Sequence, residues 1–316
     1  MARRSKKSSL GKKIMWTVFG IVIALVVIVG GVSAKVYFDV KGAADKTYHA
    51  VDRKHKIDPT RDVDVKDGDP FSILLMGIDT GDFGRIDQGR SDSMMFVAVN
   101  PRKESTRIVS LERDTYTEIV GHGTEDKLNH AYAFGGPAMS MDTVEKLLNV
   151  PIDHYVSINM AGIQTIVDEI GGIEVNNTFE FTEDGYKFNY GKISLNGSEA
   201  LAYARMRHQD PRGDYGRQER QRKVIAAIAD KAIDINNVTR YKSILDSLGE
   251  NIQTDLSFDE MVSLAQKYRD SFRKIEMDQL QGEGFMKDGI SYQEVSQTER
   301  DRVAKELDKQ LEIYRN

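Results

Sequence analysis

The sequence predicts an α/β protein: a three-layer α/β/α sandwich with a central mixed sheet, preceded by one N-terminal transmembrane helix. Three observations predict it. Residues 14–34, IMWTVFGIVIALVVIVGGVSA, carry no charge. After residue 70, apolar runs of strand length recur. Between them lie longer segments with apolar residues at helical spacing, the alternation expected of a sheet covered by helices.

The apolar N-terminal segment comes first. A helix over 14–34 would be about 30 Å long, enough to cross the hydrocarbon core of a bilayer. Arg3, Arg4, Lys6, Lys7, Lys12 and Lys13 precede it with no acid among them. That bias places 1–13 in the cytoplasm and everything after Ala34 outside the cell. A cleaved signal peptide is the competing reading, since VSA before Lys35 resembles a cleavage site. The apolar run, however, exceeds the roughly 7–15 residues usual in a signal. The chain carries a net charge of −5, and without its N-terminal cations the remainder is more acidic still. Binding to nucleic acid through a broad basic face is therefore not expected. With no cysteine in the chain, disulfides and thiolate metal sites are excluded.

Residues 35–69 read as an extracellular stalk: polar, mixed in charge and without sustained periodicity. The folded core is expected over 70–235. FSILLMGID (71–79), SMMFVAVN (93–100) and RIVSLERD (107–114) read as buried strands. MDTVEKLLN (141–149) has helical spacing, HYVSIN (154–159) reads as a strand, and AGIQTIVDEIGG (161–172) as a helix stopped by glycines. IEVNN (173–177) is a further strand, followed by a polar, aromatic hairpin or loop over 178–194. Two helices are expected at 197–206 and from about 215 to 234, and 236–316 reads as mostly helical.

Four segments carry candidate chemistry. GIDTGDFGRIDQGRSD (77–92) puts Asp79 at the end of one strand and Asp92 at the entrance of the next. If those strands are neighbours, both carboxylates emerge at one sheet edge, a donor set suited to a hard cation such as Mg²⁺. Ordinary turn and cap aspartates fit the same pattern. Arg113 and Asp114 close the apolar strand in LERDTYTEI (111–119). KLNHAYAFGG (127–136) offers Lys127, Asn129 and His130, but His130 lacks the partners of a metal or nucleophile motif and reads as a structural histidine.

The fourth segment crowds six arginines and one lysine between Arg205 and Lys223. Arg205 and Arg207 converge only if their helix unwinds near Met206, which Pro211 and Gly213 favour. Arg217 and Gln221 are four apart and share a helix face. Forked guanidiniums suit bidentate phosphate oxygens. Carboxylates for a cation and guanidiniums for phosphate oxygens together point to a diphosphate site. A solvated basic helix is the plainer alternative.

LLMGIDTG, GRSDSMM, ERDTY, KLNHAY, GGIEVNN, LNGSEALAYARMRH and DPRGDYGRQERQRKVI occur here in that order. Across about 71–235, with the N-terminal anchor and stalk, the chain resembles the LytR-CpsA-Psr family of bacterial cell-wall enzymes. The resemblance implies an α/β/α sandwich enclosing a long apolar tunnel for a prenyl chain. It implies transfer of a polyprenyl-diphosphate-linked glycopolymer, such as wall teichoic acid or capsule, to a muramic acid hydroxyl of peptidoglycan, forming a phosphodiester. It implies Asp79 and Asp92 as Mg²⁺ carboxylates, and Arg90, Arg205, Arg207, Arg217 and Gln221 as the diphosphate grip, with Lys127 beside them. Arg113 is implied as the arginine nearest the phosphoryl transfer. Hydrolysis of polyprenyl diphosphates would use the same site. A membrane-bound transcriptional attenuator and a wall-binding module without turnover are the alternatives of another class.

Overall fold

The computed structural model describes residues 35, 37–79, 89–233 and 238–315. The expected cytoplasmic tail and transmembrane helix, 1–13 and 14–34, lie outside the described residues, as does most of the 77–92 loop. A helix over 37–47 (α1) leads through an irregular segment into β1 (Phe71–Ile78), β2 (Ser91–Asn100) and β3 (Ser105–Leu111). Then follow β4 (Tyr116–Ile119), β5 (Thr124–Lys127), α2 (His130–Leu148), β6 (His154–Asn159), α3 (Met160–Glu169) and β7 (Ile173–Asn177). A small hairpin, β8 (Phe181–Glu183) and β9 (Tyr186–Phe188), precedes β10 (Gly191–Leu195), α4 (Gly197–Arg205), α5 (Asp214–Ile233) and α6 (Val238–Leu248). The chain closes with β11 (Ile252–Thr254), α7 (Phe258–Lys267), β12 (Ile275–Gln279), β13 (Glu283–Lys287), β14 (Ile290–Glu294) and α8 (Gln297–Leu311).

The central sheet has six strands in the order β11-β6-β1-β2-β3-β12. It is mixed: β1 runs parallel to β6 and β3 to β12, while β1–β2, β2–β3 and β11–β6 are antiparallel. Both faces are covered, which is why the strands read as continuous apolar runs. On one face, Met94, Phe96 and Val109 pack with Met141, Val144 and Leu148 of α2 and Val303 and Leu307 of α8. On the other, Met95, Val97 and Ile108 pack with Ile225 of α5, Leu264 of α7 and Tyr268. Beside this second layer, α3, α4, α5 and the β7–β10 ribbon enclose their own apolar cluster around Val167, Tyr203 and Val224.

Two segments hold more structure than the sequence shows. Helices dominate 236–316, as expected, but four strands lie between them, and β11 and β12 form the two edges of the central sheet. Three to five residues each, these strands are too short to show periodicity. The sequence also reads 35–69 as a stalk, yet this stretch is bound to the domain. Arg53, with 2% of its side chain exposed, sits between Asp142 (2.8 Å) and Glu145 (2.7 Å) of α2. Arg61 pairs with Asp153 at 2.9 Å, Val65 is buried, and Val40 and Ala44 of α1 pack on Phe258. Anchoring by isolated guanidiniums leaves no pattern of apolar spacing to read.

Candidate active site

The antiparallel β1–β2 pairing decides where the two aspartates fall. Ile78 lies opposite Ser91, so Asp79 and Asp92 stand at the same end of the sheet. The Asp79 carboxylate accepts the Arg90 backbone N–H at 2.6 Å, tying the base of the loop together; the Arg90 side chain is exposed. β3 ends beside them. Arg113 Nη1 donates to Asp92 Oδ1 at 2.8 Å, and Lys127 Nζ donates to Asp114 Oδ1 at 2.7 Å. His130 Nδ1 lies 2.7 Å from Asp126, the satisfied structural role its sequence context suggests.

The arginine segment reaches the same place because its helix breaks where the sequence predicts. A capping box of Asn196 and Glu199 starts α4. The helix ends at Arg205, and Met206 leaves helical geometry with ψ of 131°. Gly213, at φ of 58°, then turns the chain into α5. Arg207 and Arg217 meet on one carboxylate: Asp214 Oδ1 lies 2.7 Å from Arg217 Nη2 and 3.5 Å from Arg207 Nε.

The cluster is divided, however. Arg220 is buried against Asp210 and the Met206 carbonyl, with Phe179 and Phe181 under its guanidinium. Arg212 also pairs with Asp210, and Arg222 donates to Ser110 of β3. These three hold the turn and the sheet together. Repulsion among the arginines is relieved in part by Asp210 and Glu219 at Arg212 and Arg220 and by Asp214 at Arg207 and Arg217.

A cavity of about 270 Å³ opens between the sheet, α3, α4 and α5. Its walls are apolar, with Leu75, Ile158, Ile163, Leu201, Val224 and Ile225 among them. Its polar lining is Asp92, Ser93, Arg205, Arg217 and Gln221. Ser93 Oγ donates to Gln221 Oε1 at 3.0 Å, joining β2 to α5 there. An apolar slot bordered by guanidiniums matches an amphiphile with an anionic head. Of the residues picked from sequence, Asp92, Arg205, Arg217 and Gln221 share this cavity and Arg113 touches it through Asp92. Arg207 joins through Asp214, Lys127 stands behind Arg113, and Asp79 and Arg90 sit at the neighbouring loop base.

Sequence reasoning misses Glu112, Asp214 and Gln218. Glu112 is 3% exposed. Gln218 Nε2 donates both to its carboxyl and to Asp214 Oδ2 (3.1 Å). Burial and then the Asp214 charge push the Glu112 carboxyl up to about 7. Burial opposes the charge of Asp214 as well, but Arg217, Gln218 and Arg113 outweigh it and hold Asp214 below the usual carboxylate range. Of the two acids, Glu112 is thus the one that takes up a proton more readily. Arg113 is held above its usual range: burial works against it, and Asp92, Asp114 and Asp214 prevail. Arg217 moves the other way, lowered by burial and by Arg113 and Arg207 against the pull of Asp214. A further negative charge beside it would raise it again. An acid at a helix start reads as an ordinary N-terminal charge, which is why Asp214 carries no signal in the sequence.

Known proteins resemble this chain over nearly its whole length. The model of the LytR_cpsA_psr family matches residues 34–309. A protein of Enterococcus faecalis named polyisoprenyl-teichoic acid–peptidoglycan teichoic acid transferase TagU is 55% identical over 96% of this chain and 99% of its own. A crystal structure from the same species, described as a transcriptional regulator, superposes with a TM-score of 0.73 at 44% identity, covering 81% of this chain and 92% of that one. A structure described as TagT bound to LI-WTA gives a TM-score of 0.70 at 30% identity, covering 84% of this chain and all of the other. The chain belongs to the LytR-CpsA-Psr family.

Proposed function

We propose that this protein transfers a teichoic acid or related glycopolymer from a polyprenyl-diphosphate carrier to a muramic acid hydroxyl of peptidoglycan. The observation that carries the reading is the apolar cavity with Arg205, Arg217, Gln221 and Asp92 in its lining. The prenyl chain occupies the apolar slot, and its diphosphate lies across Arg205, Arg207 and Arg217. The acceptor hydroxyl oxygen bonds to the polymer-side phosphorus. The bond from that phosphorus to the bridging oxygen breaks, polyprenyl monophosphate leaves, and the hydroxyl proton is released. Arg113, adjacent to Asp92, neutralises charge on the transferring phosphoryl group.

Asp79 and Asp92 fit a magnesium ion by donor chemistry: both are oxygen donors at one sheet end. Mg²⁺ is commonly held by one or two carboxylates, with water and substrate phosphate completing the set. Among the described residues no group of three or more acidic or histidine side chains is placed to cage a metal. When bound, the ion would offset phosphate charge. The acidic part of the chain beyond residue 34 is placed outside the cell, tethered by the 14–34 segment, which keeps the site close to lipid-borne donor.

The test is incubation of the full chain in detergent with a synthetic polyprenyl-diphosphate saccharide, peptidoglycan fragments and Mg²⁺, with products identified by mass. A phosphodiester-linked saccharide on the glycan is expected. Saccharide phosphate released to water, whether or not acceptor is present, would establish hydrolysis instead. An intact donor would overturn both.

A further inference from the structure

The β13–β14 ribbon stands outside the central sheet and pairs with no other named strand. Its two-residue turn, Asp288 and Gly289, has both φ angles positive (52° and 78°), the tight geometry that rigidifies a hairpin. One backbone tether holds it: Gln293 N donates to the Asp114 carbonyl at 2.9 Å, beside a bridge between Thr115 and Gln293. The ribbon is therefore fixed to the residues that immediately follow Arg113.

Its inner face is aromatic. Phe285 and Tyr292 are cross-strand partners, stacked with ring centres 5.6 Å apart. Tyr116 of β4 meets both edge-on, at 5.7 and 5.1 Å. Tyr292 is buried as the support, while Phe285 and Tyr116 stay half-exposed. Polar groups frame the rings: Lys287 Nζ lies 4.4 Å above Tyr116, whose hydroxyl donates to Glu125 at 2.9 Å. The partly exposed Phe285 ring, beside a Tyr116 that carries the Lys287 ammonium over its ring and the Glu125 carboxylate on its hydroxyl, matches the apolar faces, hydroxyls and acid groups of an amino-sugar glycan.

Position adds the second argument. From the apolar cavity a chain of contacts runs through Asp92 to Arg113 (2.8 Å) and on to Asp114 (3.8 Å). From Asp114 it continues to Lys127 (2.7 Å) and to the Tyr292 ring (5.5 Å). The donor slot is at one end and the aromatic trio at the other, with Arg113 between. We infer that Tyr116, Phe285 and Tyr292 form the subsite that seats the acceptor glycan strand. This inference rests on the transfer reading for its role, though glycan binding itself does not depend on turnover.

The experiment measures binding of soluble, uncrosslinked strands of alternating N-acetylglucosamine and N-acetylmuramic acid to the full chain in detergent, with no lipid donor present. Phe285→Ser and Phe285→Leu, which both remove the ring, should each weaken binding roughly five- to tenfold. Tyr116→Phe keeps the ring and should bind within about twofold of the parent. Met286→Ser changes the opposite face of the same strand, where Met286 is 67% exposed, and should leave affinity unchanged. In turnover, the Phe285 variants should raise the acceptor KM while leaving the donor KM unchanged. Undiminished glycan binding in Phe285→Leu, or an equal loss in Met286→Ser, overturns the subsite. Ring-dependent glycan binding without any transfer would leave the subsite standing and sink the transferase reading alone.

Discussion

The carboxylate of Asp214 lies 2.7 Å from the Arg217 guanidinium, inside the group of cations assigned to the donor diphosphate. Arg207 approaches the same oxygen at 3.5 Å. Asp214 therefore neutralises arginines that would otherwise repel, part of the role proposed for a phosphate oxygen of the donor. Unlike a free ion it cannot leave, so a diphosphate bound there would compete with it or share the guanidiniums.

Replacing that acid separates the two roles. Asp214→Asn should lower thermal stability, because Arg217 is largely buried and loses its partner. Added pyrophosphate should then restore more stability to the variant than it adds to the parent protein. Thermal unfolding with and without pyrophosphate measures both. An identical ligand-induced shift in the two proteins would contradict the stand-in role of Asp214.

Arg113→Ala should cut turnover by about 10²- to 10³-fold with donor affinity little changed, since the charge is required mainly in the transition state. Arg113→Lys should recover only part of the loss, because a point charge cannot keep the 2.8 Å contact to Asp92 and also fork onto phosphate. Single-turnover rates at saturating donor decide it, and full activity in either variant would remove Arg113 from the mechanism.

Much of the geometry around Arg113 is legible in the sequence, and the reason is local. Asp79, Asp92 and Arg113 each follow or precede an apolar run, so their place at a strand end could be read directly. The break after Arg205 was announced by Pro211 and Gly213. The hidden parts act through tertiary contact. Glu112 is adjacent in sequence to Arg113 but points into the interior, where it meets Gln218 and Asp214. Arg220 and Arg222 look like site arginines by spacing, and only the positions of Asp210 and Ser110 show that they are structural. The two edge strands β11 and β12 are set by pairing to β6 and β3, which no local pattern records.

Glu112 also gives the domain a signature in pH. Its carboxyl titrates near 7 when folded, against an ordinary value of 4.5. The folded state thus holds a proton that the unfolded chain has released between those limits. Stability should fall as pH rises from about 5 to 8, on the order of a few kcal/mol. Glu112→Gln keeps the hydrogen-bonding shape without the charge and should flatten this slope. Asp214 does not mask the effect: its lowered value contributes stability above the ordinary carboxylate range that is lost only in stronger acid. Melting temperatures of the two proteins at pH 5 and pH 8 provide the comparison, and parallel curves would disprove the assignment.

Arg53 makes the segment before β1 part of the domain. Its guanidinium joins Asp142, Glu145 and the Ile152 carbonyl (2.6 Å) in the interior. Arg53→Ala leaves two buried carboxylates without a counter-charge, a change that typically costs about 3–5 kcal/mol. The melting temperature should drop by several degrees, and residues 48–64 should become sensitive to protease. A variant as stable and resistant as the parent would show that this segment is a stalk after all.

The cavity can be tested apart from the charges around it. Ala204 is buried in its wall, next to Arg205, and faces space bounded by Ile158, Ile163 and Val224. Ala204→Phe adds a ring to a space of about 270 Å³ and should fill much of it. Donors with long prenyl chains should then lose affinity strongly. Pyrophosphate, which needs only the guanidiniums, should still stabilise the variant as it does the parent. Comparing donors of increasing chain length against pyrophosphate isolates the apolar contribution. If long-chain and short-chain donors suffer equally, the slot does not hold the lipid; if pyrophosphate fails as well, the substitution has displaced Arg205, and Ala204→Val becomes the variant that separates filling from displacement.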